Sequence, residues 1–343
     1  MKVVSETASR FQIKDKVVSI TPFGGGHINA TWKVTCEKSE YLLQKINQSV
    51  FPLVEHIVEN RKLLNALPDT SILVEEVLTE EGGSALFTEN GVFRMQRFIA
   101  EAYAPSSVES NNEAFEAAYG FGEFLKQTNS LNPADFKEVI PGFHNLELRL
   151  NQLAEAKEKD KAARLNSITN LVEQVESFAW INEKMNSLWL NGLPLRVCHN
   201  DTKIDNILLN RTTSSFQYVI DLDTVGGGSM LYDFGDLMRT CISPTKESER
   251  DLKQIVFRDE IFEALTEGFM KSVASFISPI EKENLYFGGI YMTYIMAVRF
   301  LTDYLNGDVY YKITFEDENL VRTKNQMALL NLFVQKFGFG PKN

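Results

Sequence analysis

Basic charge is what this sequence most lacks. Its 343 residues carry 35 Lys and Arg against 46 Asp and Glu, a formal net charge of −11. Nucleic acids and anionic membrane surfaces are held through a basic footprint, so neither is expected as a partner. A nucleotide is still allowed, because a local cationic loop can hold phosphates inside an acidic protein. Cysteine is scarce as well. Cys36, Cys198 and Cys241 form no CxxC pair, and an odd count of packed thiols suits a reducing compartment. No apolar run is long enough for a bilayer. The nearest, YFGGIYMTYIMAVRFL (286–301), is short and contains Gly288, Gly289 and Arg299, so it reads as a buried helix. The opening MKVVSETASRFQIK has no apolar core after its first basic residue, so no signal peptide is expected, and the cytoplasm is the expected compartment. Low-complexity tracts and internal repeats are also missing.

What is present is globular: 44% hydrophobic and 24% charged residues. The length exceeds one ordinary core, which predicts two domains or lobes. Residues 17–21, 30–35 and 41–46 are strand-like, 53–67 has helical spacing, and 71–78, 84–88 and 92–98 return to strand. A linker is expected over 100–110. Beyond it, 111–128 and 146–190 carry apolar residues at helical spacing, and Pro194 closes that region. The pattern predicts an α+β fold with two lobes, protein-kinase-like in organisation. Residues 1–100 form a small β-rich lobe for nucleotide, and 101–343 form a larger, mainly helical lobe with the catalytic loop and substrate site.

The densest chemistry lies in VCHNDTKIDNILL (197–209), where His199, Asp201, Lys203 and Asn206 sit between apolar runs. A turn, a metal site and a phosphotransferase loop are the three readings of such a cluster. Phosphoryl transfer needs a carboxylate to orient and deprotonate the acceptor hydroxyl, an amide oxygen to help hold Mg²⁺, and a cation near the moving phosphoryl group. Asp201, Asn206 and Lys203 supply those three types, in the spacing of the kinase catalytic loop. Two short apolar strands, 207–209 and 218–220, follow, joined by the polar turn RTTSS. A hairpin there brings Asp221 back to Asn206 as a metal ligand, with Asp223 beside it as a second-metal or supporting group.

In TPFGGGHINATWKV (21–34), Gly24, Gly25 and Gly26 would let backbone N–H groups approach phosphates, although a plain Gly-rich hairpin has the same look. The phosphate-pairing lysine is expected at Lys45 in YLLQKIN, with Glu59 as its helix partner, on the same face as Glu55. Strand alternation leaves Gln44 as the other occupant of that place. YDFGD (232–236) contains the letters of the kinase metal loop, but a helical run follows at once, so Asp233 reads as a helix N-cap or a brace for the loop.

Together HNDTKIDN, IDLDTV and YDFGDLMR resemble the aminoglycoside phosphotransferase-like small-molecule kinases. FGGGHINATW, IPGFHNLELR and VRFLTDYLNGDVYY make the chain similar, within that group, to the bacterial N-acetylhexosamine 1-kinases. The resemblance runs from about residue 21 to 311. It implies ATP as cosubstrate, Mg²⁺ as cofactor, and phosphorylation of the anomeric hydroxyl of GlcNAc or GalNAc. It also implies that His27, Arg299, Asp303 and Tyr310 lie near the sugar. Plainer roles are open for these: Arg299 pairing with Asp303 at i, i+4, Tyr310 capping a core, and His144 as a structural histidine. Another alcohol (an aminoglycoside, choline or homoserine) on the same fold, or an inactive nucleotide-binding scaffold, are the alternatives. Oligomeric state is not legible.

Overall fold

The computed structural model describes residues 2–24 and 29–340. The chain begins with helix α1 (Lys2–Ala8) and strands β1 (Val17–Pro22), β2 (Ala30–Cys36) and β3 (Glu40–Lys45). Helix α2 (Val54–Asn65) and strands β4 (Glu76–Val77), β5 (Leu86–Thr88) and β6 (Gly91–Arg97) follow. These strands form one antiparallel sheet ordered β1-β2-β3-β6-β4, with β5 on β6. Side chains alternate across it. Tyr41 and Leu43 of β3 and Phe93 and Met95 of β6 are buried with Val4, Ala8 and Phe11. The residues between them, Gln44 opposite Arg94 and Leu42 opposite Gln96, take the other face.

Only Glu76–Val77 of the strand expected at 71–78 joins that sheet. Residues before it run to the second lobe, where the Val219 N–H donates to the Ile72 carbonyl at 2.9 Å. The stretch expected as a linker likewise holds a strand, β7 (Ala102–Tyr103), which pairs with Leu209 and Asn210 of the second lobe.

That lobe contains α3 (Asn111–Thr128), α4 (Leu146–Lys159), α5 (Thr169–Glu176), α6 (Trp180–Leu190) and strands β8 (Arg196–Cys198), β9 (Ile207–Asn210), β10 (Phe216–Val219) and β11 (Gly226–Gly228). Helices α7 (Met230–Cys241), α8 (Asp259–Val273), α9 (Pro279–Asn284), α10 (Phe287–Asn306) and α11 (Glu318–Phe337) complete it. The helical region expected over 146–190 breaks at Asp160, which is left-handed (φ 30°) and whose carboxylate accepts the Arg164 and Leu165 N–H groups. The apolar run at 286–301 is the buried helix α10, packed on α7. A Cβ on Gly235 or Gly288 would collide with the facing backbone, so the glycine of YDFGD is explained by helix contact. Among the described residues no helix is long and apolar enough to cross a membrane.

Candidate active site

The catalytic loop is held by a carboxylate beneath it. The backbone N–H groups of His199 and Asn200 donate to Asp233 at 2.9 and 2.8 Å, and the Thr202 hydroxyl donates to the Asp233 carbonyl at 2.5 Å. Asp233 is therefore the brace, whereas the cap of α7 is Ser229. Burial pushes the Asp233 carboxyl up to about 7, against the two backbone donors. His199 is buried and links two strands of the loop. Its Nε2 lies 2.9 Å from the Ile220 carbonyl, and its Nδ1 accepts the Asp201 N–H at 3.3 Å, an arrangement for the neutral ring. Burial lowers its pKa accordingly. Asn200 takes a left-handed φ of 64° and donates its side-chain amide to the Thr224 carbonyl at 3.1 Å, stitching the loop to the turn after β10.

On this frame Asp201, Lys203, Asn206 and Asp221 converge. Lys203 Nζ is 3.4 Å from Asp201 Oδ2, and the Asn206 amide donates to the Asp201 carbonyl at 2.8 Å and carboxylate at 3.0 Å. Burial works to raise the Asp201 pKa, but the Lys203 ammonium, with Arg239 adding to it, outweighs burial and keeps the group below the ordinary carboxylate range. It is ionised at neutral pH. Asp201 in turn holds the Lys203 ammonium well above its usual range. The β9–β10 hairpin returns the chain so that the Ile220 N–H donates to the Asn206 carbonyl at 3.0 Å, placing Asp221 beside Asn206. Asp221 is left-handed (φ 56°), a conformation that costs a non-glycine residue free energy and concentrates at functional sites. Loss of hydration within the cleft pushes its carboxyl up to about 7, with Asp223 adding repulsion and Arg94 opposing. The side chain keeps solvent contact and makes no hydrogen bond among the described residues.

Of the two roles open to Asp223, second-metal ligand or supporting group, its partners favour the second. Its Oδ1 pairs with Arg94 Nη1, and its Oδ2 accepts from Arg94 Nη2 at 3.1 Å and from the Asn29 amide at 3.0 Å, so both oxygens are engaged.

The nucleotide side departs from expectation. Lys45 lies opposite Phe93 with its ammonium 6.0 Å from that ring, on the face away from the catalytic loop. Gln44 takes the inner position instead, donating to Thr31 at 3.3 Å and accepting from Arg94 Nε at 2.9 Å. Glu59 is exposed and has no ion pair among the described residues. The buried residue of α2 is its neighbour Asn60, which donates to the Val225 carbonyl at 3.0 Å and so ties the helix to the turn carrying Asp221 and Asp223. Gly24 has a left-handed φ of 68°, and Gly25, Gly26 and His27 lie outside the described residues.

On the other side of the loop a cavity of about 490 Å³ is lined by Arg149, Lys159, Arg299, Thr302, Tyr310 and Tyr311. His144 connects it to the loop. Its Nε2 meets the Asn200 carbonyl at 2.8 Å, while its Nδ1 is buried and unpartnered. Burial, reinforced by Arg299, lowers its pKa to about 4. The Arg299 guanidinium is set among the rings of Phe143, Tyr310 and Tyr311 at 5.1, 5.7 and 5.6 Å. Among the described residues its one hydrogen-bond partner is Met296 Sδ at 3.7 Å, and the plainer pairing with Asp303 does not form. Asp303 is consumed by backbone: Oδ1 accepts the Val309 and Tyr310 N–H groups, and Oδ2 accepts Tyr311 N–H and the Asn319 amide. It shapes the loop beside the cavity and has no oxygen left for a sugar. Tyr310 is 52% exposed, so it caps no core. Asp236 and Glu247, outside the lining of this cavity, are both paired with Arg239.

Sequence reasoning passed over Arg94 and Arg149. Arg94 had a signal: a charged residue in the middle of the alternating strand 92–98, flanked by Phe93 and Met95. Arg149 had one only as the last residue of IPGFHNLELR, since by itself an arginine on an amphipathic helix is ordinary.

A model of the phosphotransferase enzyme family matches residues 19–265, most of the chain. This protein belongs to that family. Solved structures share its fold. The microcompartment-associated aminopropanol kinase superposes with a TM-score of 0.64 at 12% identity, over 98% of this chain and 97% of that one. A spectinomycin phosphotransferase in complex with ADP and spectinomycin gives 0.62 at 13% identity, over 97% and 98%. The choline kinase of Cryptosporidium parvum gives 0.60 at 11%, over 98% and 96%. The chain is thus a small-molecule phosphotransferase with a two-lobed, protein-kinase-like fold.

Proposed function

We propose that this phosphotransferase uses ATP and Mg²⁺ to phosphorylate the anomeric hydroxyl of an N-acetylhexosamine, GlcNAc or GalNAc. Residues 1–100 would bind the nucleotide, and 101–343 would supply the catalytic loop and acceptor site. Asp201, ionised and fixed by Asn206 and Lys203, orients the acceptor hydroxyl and takes its proton as the P–O bond forms. Lys203, 3.4 Å from the Asp201 carboxylate, offsets charge on the phosphoryl group in transit. The donor set suits a hard cation. Asn206 donates its N–H to Asp201, which leaves its amide oxygen for a metal, and the Asp221 carboxylate is unclaimed. Those two would hold Mg²⁺, which when bound neutralises charge on the phosphates.

The observation that carries the acceptor class is Arg299. A guanidinium without a carboxylate partner among the described residues, next to Arg149 and inside an aromatic frame, opposes a cationic acceptor and suits neutral hydroxyls or an acetamido carbonyl. Of the acids that could hold a choline or an aminoglycoside, Asp236 and Glu247 pair with Arg239, Glu155 in the cavity lining pairs with Lys159 at 3.0 Å, and Asp303 is engaged by backbone N–H groups. The anomeric position rests on the motif likeness to the hexosamine 1-kinases. A cytoplasmic setting accords with ATP use and with three free, buried cysteines.

The test is a coupled ADP-release screen over GlcNAc, GalNAc, other aldoses, choline and aminoglycosides. The expected result is the highest kcat/KM for a hexosamine, with cationic acceptors near background. A preference for choline or an aminoglycoside would overturn the acceptor assignment.

A further inference from the structure

The sheet face that looks onto the catalytic loop carries no lysine where β3 would supply one. Gln44 stands there, and the cation on that face belongs to the next strand: Arg94, directly opposite Gln44 in the β3–β6 register. The guanidinium has five N–H groups. One donates to Gln44 Oε1, and two, one from each terminal nitrogen, are held by the Asp223 carboxylate. Two N–H groups are left, on a side chain fixed in place and mostly withdrawn from solvent (13% exposed). The fixed cation stands within electrostatic reach of Asp221, between β2, which leads out of the glycine-rich loop, and the turn that presents Asp221.

We infer that Arg94 is the phosphate-pairing cation of the nucleotide site. Gln44 and Asp223 position it and stand where a strand lysine and a helix glutamate would otherwise work. The inference rests on the ATP-dependent reading above. Two residues support it by what they do not do. Lys45 faces the core side of the sheet, and Glu59 is exposed on α2 without an ion partner among the described residues. The pair also spans the lobes, because Arg94 is on the sheet and Asp223 on the turn after β10. Asn29, which follows the glycine-rich loop, donates to the same carboxylate at 3.0 Å and to nothing on β6. One carboxylate thus sets both the cation and the end of that loop. A planar fork can engage Asp223 and a phosphate at once, which an ammonium does less well.

The experiment compares ATP, ADP and adenosine binding by calorimetry in the full-length wild type, Arg94→Gln, Arg94→Lys, and Arg94→Gln combined with Gln44→Lys. Arg94→Gln should weaken ATP and ADP on the order of 10- to 100-fold while leaving adenosine within about twofold, since a charge-assisted contact to phosphate is lost and the base site is untouched. Moving the cation back to β3 with Gln44→Lys should recover part of the loss. If Arg94→Gln does not fold, Arg94→Lys decides by its ATP-to-adenosine affinity ratio, which should fall below the wild-type ratio. Equal weakening of adenosine and ATP, or no weakening of either, would show Arg94 to be a structural ion pair and overturn the inference. A wild type that binds no ATP would overturn the nucleotide reading itself.

Discussion

Asn206 and Asp201 form one unit: the asparagine amide donates to both the backbone carbonyl and the carboxylate of the aspartate, at 2.8 and 3.0 Å. The bond fixes the Asp201 rotamer and at the same time decides which end of the amide is left for a cation. Asn206→Ala removes both effects. It should lower kcat and raise the Mg²⁺ concentration needed for half-maximal rate by roughly 10-fold or more, as the loss of groups that orient a metal site commonly does. A Mg²⁺ titration of the variant checks this. An unchanged half-saturation point would remove Asn206 from the metal site.

Arg299 has rings for neighbours and a thioether for a hydrogen-bond partner, so its charge is available to a ligand. Arg299→Ala should raise the KM for the acceptor by an amount equivalent to about 1.5–3 kcal/mol, the range for a charge-assisted hydrogen bond. The KM for ATP should not move. Steady-state kinetics with each substrate varied in turn separates the two, and an unaltered acceptor KM would place Arg299 outside the site.

His144 gives the fold a pH dependence of known sign. Its pKa is lowered to about 4 in the folded chain, from an ordinary value near 6.5. The unfolded chain therefore binds more protons between those values. The histidine's contribution is complete above pH ~6.5 and is lost as the pH falls toward ~4. Asp233, raised to about 7, acts oppositely: its contribution is present at low pH and fades as the pH rises. The wild-type curve sums these two with the other shifted groups, His199, Asp201 and Asp221 among them, so the test is a difference. His144→Gln should lose less stability than wild type between pH 7.5 and 5, by on the order of 1 kcal/mol given the partial exposure of the ring. Denaturant unfolding at both pH values measures it, and parallel losses in the two proteins would contradict the assignment.

The catalytic loop was legible because its chemistry is local. Four functional side chains fall within eight residues, and one hairpin brings Asp221 to them. The helix at 286–301 was legible for the same reason. What could not be read depends on neighbours distant in sequence. Whether Gln44 or Lys45 faces the catalytic loop depends on which side of β3 packs on Phe11 and Phe93, and a lone strand does not carry that information. Asp223 looked like a metal ligand because Arg94, which occupies it, comes from a different strand and a different lobe. Asp303 looked like a sugar ligand because the three backbone N–H groups it satisfies belong to residues that follow the end of its helix. The break at Asp160 was hidden because aspartate carries no warning of a left-handed turn of the kind glycine gives.

The account turns on Asp201 acting in the transition state, and Asp201→Asn tests that most directly. The substitution keeps the size of the side chain and one carbonyl oxygen for Asn206, but it cannot take the acceptor's proton and no longer pairs with Lys203. With the preferred acceptor from the ADP-release screen, kcat should fall by roughly 10²-fold or more, while the KM for ATP stays close to wild type because other groups hold the nucleotide. A folded Asp201→Asn enzyme that turns over its acceptor at near wild-type kcat would contradict the mechanism.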